Sequence, residues 1–189
     1  MLKKTLPNII TLIRLLGTIV LLFITPFTTL FFVIYSICGI SDVLDGSLAR
    51  LFHTESQFGA KLDSISDMLF YAVMLFRVFP ALWELLPIYI WYIVIAIVGI
   101  RVVSYVTAAC KYRQFASLHT YMNKLTGFAL FCVPYVLRLP IAVGYCMMVC
   151  IISMLGSLEE LVIHFLAKKH DSSVKTIFVL LKKKRAQQE

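Results

Sequence analysis

The chain has no polar stretch long enough to form a soluble domain, no low-complexity linker, no internal repeat and no CxxC pair. Each absence removes a class of function. Without a basic soluble face, nucleic-acid binding is excluded despite a formal net charge of +8. Without a CxxC pair, Cys38, Cys110, Cys132, Cys146 and Cys150 read as small buried hydrophobes rather than a metal or redox site. No Ser/His/Asp or Cys/His set stands at useful spacing, which removes triad-type nucleophilic catalysis. The missing repeat argues against a cation transporter built from inverted halves. The first apolar run lacks a small-residue cleavage site and reads as a retained helix rather than a signal peptide.

What the chain has in excess is apolar surface. It is 60% hydrophobic with a mean hydropathy of +0.89, against about 45–50% apolar residues for a soluble domain. A membrane-spanning helix needs roughly 20 such residues. Six apolar segments can be marked, near 8–25, 28–48, 59–84, 87–110, 121–138 and 140–166. Pro26 separates the first two, Pro87 opens the fourth and Pro140 opens the sixth, where helix starts and stops belong. The expected fold is all-α and integral to the membrane: a single domain over 1–189 with six transmembrane helices.

Basic residues gather on one side of that arrangement. Lys3 and Lys4 precede the first segment, Arg50 and His53 follow the second, and Lys111 and Arg113 follow the fourth. A basic tail over about 168–189 adds Lys168, Lys169, Lys175, Lys182, Lys183, Lys184 and Arg185. Positive residues stay cytoplasmic, so both termini are expected there, in the plasma membrane of a prokaryote. Anionic head groups and phosphates are the natural partners of such a face. The stretch from Val174 to Arg185 reads equally as an interfacial helix or as a basic tail lying on lipid.

Four of the ten acidic residues are aspartates that sit close together. Asp42, Asp45, Gly46 and Ala49 fall at i, i+3, i+4 and i+7, one helical face. Gly59, Asp63 and Asp67 fall at i, i+4 and i+8, again one face. A short connection between the two helices makes them antiparallel neighbours, so their polar faces converge at the cytoplasmic membrane edge. A carboxylate at the bilayer centre costs about 2.5–3.5 kcal/mol. Four near the interface cost less each, but they also repel one another. Lys61 and Arg50 are too few to offset this and lie at the rim. Hard divalent cations suit an all-carboxylate cluster, and two ions about 3.5–4 Å apart can stabilise phosphoryl displacement. Gly46, Ala49 and Gly59 leave room for close helix approach or for a ligand against the backbone. Acids clustered at one edge, rather than strung across the membrane, fit chemistry better than ion conduction.

These residues carry a resemblance. The pattern Asp42-x2-Asp45-Gly46-x2-Ala49-Arg50-x8-Gly59-x3-Asp63-x3-Asp67 is similar to the signature of the CDP-alcohol phosphatidyltransferases over its whole length. The resemblance implies transfer of a phosphatidyl group from CDP-diacylglycerol to an alcohol, with release of CMP. It implies two bound magnesium ions, with manganese as an alternative, held by Asp42, Asp45 and Asp63. Asp67 would complete the metal site and act as general base. Gly46, Ala49, Arg50 and Gly59 would contact the CDP moiety, and the enzyme would be a homodimer among membrane lipids.

The acceptor rests on other residues. Arg101 interrupts the apolar fourth segment and Lys124 starts the fifth, with Lys111 and Arg113 on the same side. A basic group beside the metal site suits a phosphorylated acceptor such as glycerol 3-phosphate. The bland alternatives are that Arg101 snorkels and that Lys124 follows the positive-inside pattern. The run Pro7-Asn8-Ile9-Ile10-Thr11-Leu12-Ile13-Arg14 resembles the phosphatidylglycerophosphate synthase branch, and Asn8 and Thr11 would face the nucleotide. As plain structure, Asn8 is a helix cap and Thr11 bonds within its own helix. Ser64 and Met68 depart from that branch, as does the Tyr121–Gly127 stretch. Leu62-Asp63-Ser64 looks more like the phosphatidylserine synthase branch. Serine, inositol phosphate and other head-group alcohols therefore stay open as acceptors. Glu159, Glu160 and His164 read as partners for Arg101 or as a surface face.

Overall fold

A computed structural model describes residues 2–51, 57–112, 120–167, 176–177 and 179–180, with the side chains of 2–8, 43–51, 57–58 and 60–61 outside that description. The described residues form six helices: α1 (Leu2–Phe23), α2 (Thr29–Leu51), α3 (Gln57–Leu85), α4 (Ile88–Tyr112), α5 (Tyr121–Val136) and α6 (Ala142–Leu166). The six apolar segments of the sequence correspond to them one for one. Among the described residues, three stretches are long and apolar enough to cross a membrane, Leu62–Leu85, Ile88–Tyr112 and Ala142–Leu166. Ile9–Phe23 and Thr29–Asp42 are shorter apolar stretches, and α5 has only 16 residues. Large apolar side chains such as Phe23, Met68, Phe76, Tyr92, Ile95 and Phe128 stand 65% or more exposed. Water does not tolerate such a surface at this density; a lipid environment does.

The chain divides into two compact units, Met1–Glu84 and Leu85–Glu189. In the first, α1 and α2 pack closely because Gly17 presents no side chain to Cys38. A Cβ at position 17 would stand 2.6 Å from the Cys38 Sγ. The turn between these helices holds Phe27 at φ 63°, a left-handed conformation unusual for a bulky residue. Its ring rests near those of Phe31 and Phe32, with centroids 6.1 and 6.4 Å away. Thr28 starts α2, its hydroxyl accepting from the Phe31 N–H at 3.3 Å. α3 joins through side chains. Tyr35 stacks on Phe31 at 6.1 Å and on Phe70 at 5.5 Å, forming an aromatic ladder from α2 to α3. The Arg77 guanidinium donates to the Ile24 carbonyl just past the end of α1, a favourable place for a cation.

In the second unit α6 packs against both α4 and α5. Ile90, Ile97 and Cys150 form its apolar centre. Gly156 lets α5 come near, since a Cβ there would lie 3.2 Å from the Met122 Cβ. Thr120 caps α5 by accepting from the Asn123 N–H at 3.2 Å. Part of the tail folds back: Leu180 is buried with Ile163 and Ala167, and Glu159 accepts from the Ile177 N–H at 3.1 Å. Pro80 and Pro134 lie inside α3 and α5. Each removes one helical hydrogen bond, a loss that helices in apolar surroundings accommodate locally.

Gly17→Ala is expected to destabilise the protein by about 1–3 kcal/mol, because the short, buried Cys38 has little room to yield. Thermal unfolding of the detergent-solubilised protein measures this. Adding Cys38→Ala should restore most of the loss.

Candidate metal centre

The charged cluster is built from α1, α2 and α3. On α1, Thr11, Arg14, Thr18 and Leu21 recur at helical spacing and are all buried, so they form the inward face. Arg14 is 0% exposed. The Thr18 hydroxyl donates to the Arg14 carbonyl at 2.8 Å, and the Cys38 thiol donates to the same oxygen at 3.7 Å. These bonds tie the Arg14 backbone to both α1 and α2.

Three carboxylates meet the guanidinium. Arg14 Nη1 lies 3.0 Å from Asp42 Oδ1 and 3.1 Å from Asp63 Oδ1, and it also bonds Asp67 Oδ1. Asp42 comes from α2, while Asp63 and Asp67 stand one turn apart on α3. One oxygen from each of the three lies within 4.8 Å of the others. The acid side chains remain 37%, 39% and 35% exposed while Arg14 is sealed. The cation is thus enclosed by protein and the acids keep an open side. Three charges of −1 and one of +1 leave a formal −2 on the group. An all-oxygen donor set with that residual charge fits a hard divalent cation.

The two-helix convergence expected from spacing is therefore present for Asp42, Asp63 and Asp67. Asp45, Gly46, Ala49 and Arg50 lie on the last turns of α2 and Asn8 lies on α1, but their side chains fall outside the described residues. Gly59 is in the first turn of α3, and Thr11 is buried at 4% exposure on the face that carries Arg14. The counter-charge is Arg14, which lies far from the acids in sequence, and not only the nearby Lys61 and Arg50 that the spacing suggests. A signal existed: 11, 14 and 18 share one face of a helix whose other positions from Ile9 to Phe23 are apolar or glycine.

The basic residues expected at the acceptor site belong to the second unit. Arg101 donates to Asn123 Oδ1 at 3.1 Å, and Asn123 Nδ2 donates to Glu160 Oε2 at 3.0 Å. Glu160 and His164 are each 1% exposed, so neither is a surface residue. Glu160 does serve Arg101, with Asn123 between them. Lys111 donates to the carbonyls of His164 and Phe165 at 2.9 Å each, capping the C-terminal end of α6. Lys124 is exposed on the first turn of α5. Arg113 lies outside the described residues.

With this geometry in view, a family model described as CDP-alcohol phosphatidyltransferase matches residues 4–165. That stretch runs from the first turn of α1 nearly to the end of α6. Among curated proteins, a CDP-diacylglycerol–glycerol-3-phosphate 3-phosphatidyltransferase of Cereibacter sphaeroides is 34% identical over 94 residues, 44% of this chain and 42% of that protein. The match covers less than half the relative's length. No solved structure matches significantly.

Asn123→Leu should remove the amide that links Arg101 to the buried Glu160 and lower stability by about 1–3 kcal/mol. Glu160→Gln in the same background removes the buried charge that has lost one hydrogen-bond donor and should recover part of the loss in thermal unfolding.

Proposed function

Because this chain belongs to the CDP-alcohol phosphatidyltransferase family, we propose that it transfers a phosphatidyl group from CDP-diacylglycerol to glycerol 3-phosphate and releases CMP. The observation that carries this reading is the convergence of Asp42, Asp63 and Asp67 on one point of the first unit. The printed name of the Cereibacter relative supports glycerol 3-phosphate as acceptor.

In this reading Asp42, Asp45, Asp63 and Asp67 hold two divalent ions, magnesium by preference and manganese as a substitute. Bound metal supplies neutralisation of the diphosphate and stabilisation of the departing CMP. The protein's own residues do the rest. Asn8, Thr11, Gly46, Ala49, Arg50 and Gly59 bind the CDP moiety. The acceptor hydroxyl attacks the phosphorus that bears the diacylglycerol, a new P–O bond forms, and the bond to the bridging oxygen of CMP breaks. Asp67 removes the hydroxyl proton as the bond forms. The open side of the acids supports this role, because a substrate oxygen can reach a carboxylate that is 35% exposed.

For the acceptor's phosphate, Arg101 is the leading candidate, backed by Asn123 and Glu160. Lys124, Lys111 and Arg113 complete the proposed basic set, although Lys111 already spends two donors on α6. The same reading takes the chain as a homodimer with six membrane passes and both termini cytoplasmic.

Purified protein in detergent or lipid nanodiscs should release CMP from CDP-diacylglycerol with glycerol 3-phosphate and Mg2+. EDTA should abolish the release. Serine, inositol phosphate and choline should give only background. Asp67→Asn should lower kcat by roughly 10²–10⁴, and Arg101→Ala should raise KM for glycerol 3-phosphate. No CMP with any acceptor would refute the enzyme assignment, and turnover with serine alone would move the acceptor.

A further inference from the structure

Arg14 occupies the point that the acids share. Its guanidinium is fully enclosed, and a desolvated charge persists only where opposite charge meets it. The Nη1 nitrogen reaches one oxygen each of Asp42, Asp63 and Asp67. That nitrogen carries two hydrogens, so three carboxylates outnumber its donors. The contact is therefore a charge shared among three anions more than a set of directed bonds. Two elements converge on it as well. Thr18 and Cys38 both bond the Arg14 carbonyl, fixing where the side chain starts.

We propose that Arg14 is a built-in counter-cation of the metal site: it gathers Asp42, Asp63 and Asp67 before metal arrives, and divalent metal then binds in competition with it. The proposal rests on reading the three acids as a metal site. Its logic is electrostatic. Without Arg14, three carboxylates within 4.8 Å of one another would drive α2 and α3 apart. With it, an incoming divalent ion meets a fixed positive charge and carboxylate oxygens already engaged. Arg14 therefore stabilises the metal-free protein and weakens its hold on metal. A residue that merely shaped the site would have the opposite effect on affinity, because its loss would disorganise the ligands.

The test is Mn2+ binding to the full chain in detergent, followed by electron paramagnetic resonance, with thermal unfolding in EDTA alongside. Arg14→Gln removes the charge and should tighten Mn2+ binding by at least about tenfold, while lowering the melting temperature in EDTA. Both preparations are purified in Mg2+, whose charge substitutes for the missing guanidinium, and are then exchanged. Arg14→Lys keeps the charge but on a shorter side chain that does not reach as far as Nη1, so its affinity should fall between the two. If Arg14→Gln cannot be recovered folded, binding to Arg14→Lys no tighter than to the wild type overturns the proposal. Unchanged or weaker Mn2+ binding by a folded Arg14→Gln overturns it too, with the metal site left standing. Absence of Mn2+ binding by the wild type, or equal binding by Asp42→Asn, overturns the metal site and the proposal with it.

Discussion

The first unit depends on one interaction, the enclosure of the Arg14 charge by three carboxylates from two other helices. A buried cation and a knot of acids are each costly in apolar surroundings. Together they hold α1, α2 and α3 in one arrangement, because the partners of a single guanidinium come from α2 and α3. The rest of the unit follows from bringing those groups within reach. Gly17 lets α1 approach α2 at the level of Cys38. The Phe31–Tyr35–Phe70 ladder sets the spacing of α3. Arg77 closes the far end of α1. Breaking one member of a fully buried ion pair costs about 3–5 kcal/mol; here the acids are 35–39% exposed, so water screens the group and the cost is smaller.

The second unit meets the same difficulty with a neutral intermediary. Glu160 is buried, and Asn123 bridges it to Arg101 with one donor and one acceptor. An amide suits this position because it satisfies a cation on one side and an anion on the other. Thr120 orients the start of α5, so Asn123 sits in its first turn, and Gly156 clears the space beside it. Lys111 takes a different part, meeting the carbonyls at the end of α6 that no further helical turn would satisfy. Long cations thus divide into one tied to a neighbouring helix through an amide and one that closes a helix.

The helices were legible in the sequence because apolar runs of this length have few alternatives, and their proline punctuation falls where α2, α4 and α6 begin. Pro80 and Pro134 carried no such message, since they lie within runs that continue on both sides. The acids were legible because Asp42, Asp63 and Asp67 obey helical spacing on two adjoining segments. Arg14 was not, for a reason of distance. Its partners lie 28, 49 and 53 positions away in the chain, and the periodicity of one helix says nothing about what another brings to meet it. The Asn123 bridge escaped for the same reason, since an asparagine near a helix start reads first as a local capping residue.

The contrast in exposure within the cluster bears on how such a site can react. Enclosing the cation and leaving the acids 35–39% open gives a negative surface with a positive charge fixed behind it. A fully enclosed cluster would hold ions tightly and exclude a diphosphate. A fully open one would lose its geometry to solvent and salt. On the proposed reading, the intermediate arrangement keeps three carboxylates gathered, leaves a residual charge suited to divalent ions, and keeps an open side for a head group. Catalysis needs bound ions that can accept new oxygens as bonds change. On the proposed reading, a site whose geometry Arg14 already maintains has no need to saturate its metals with protein ligands in order to exist.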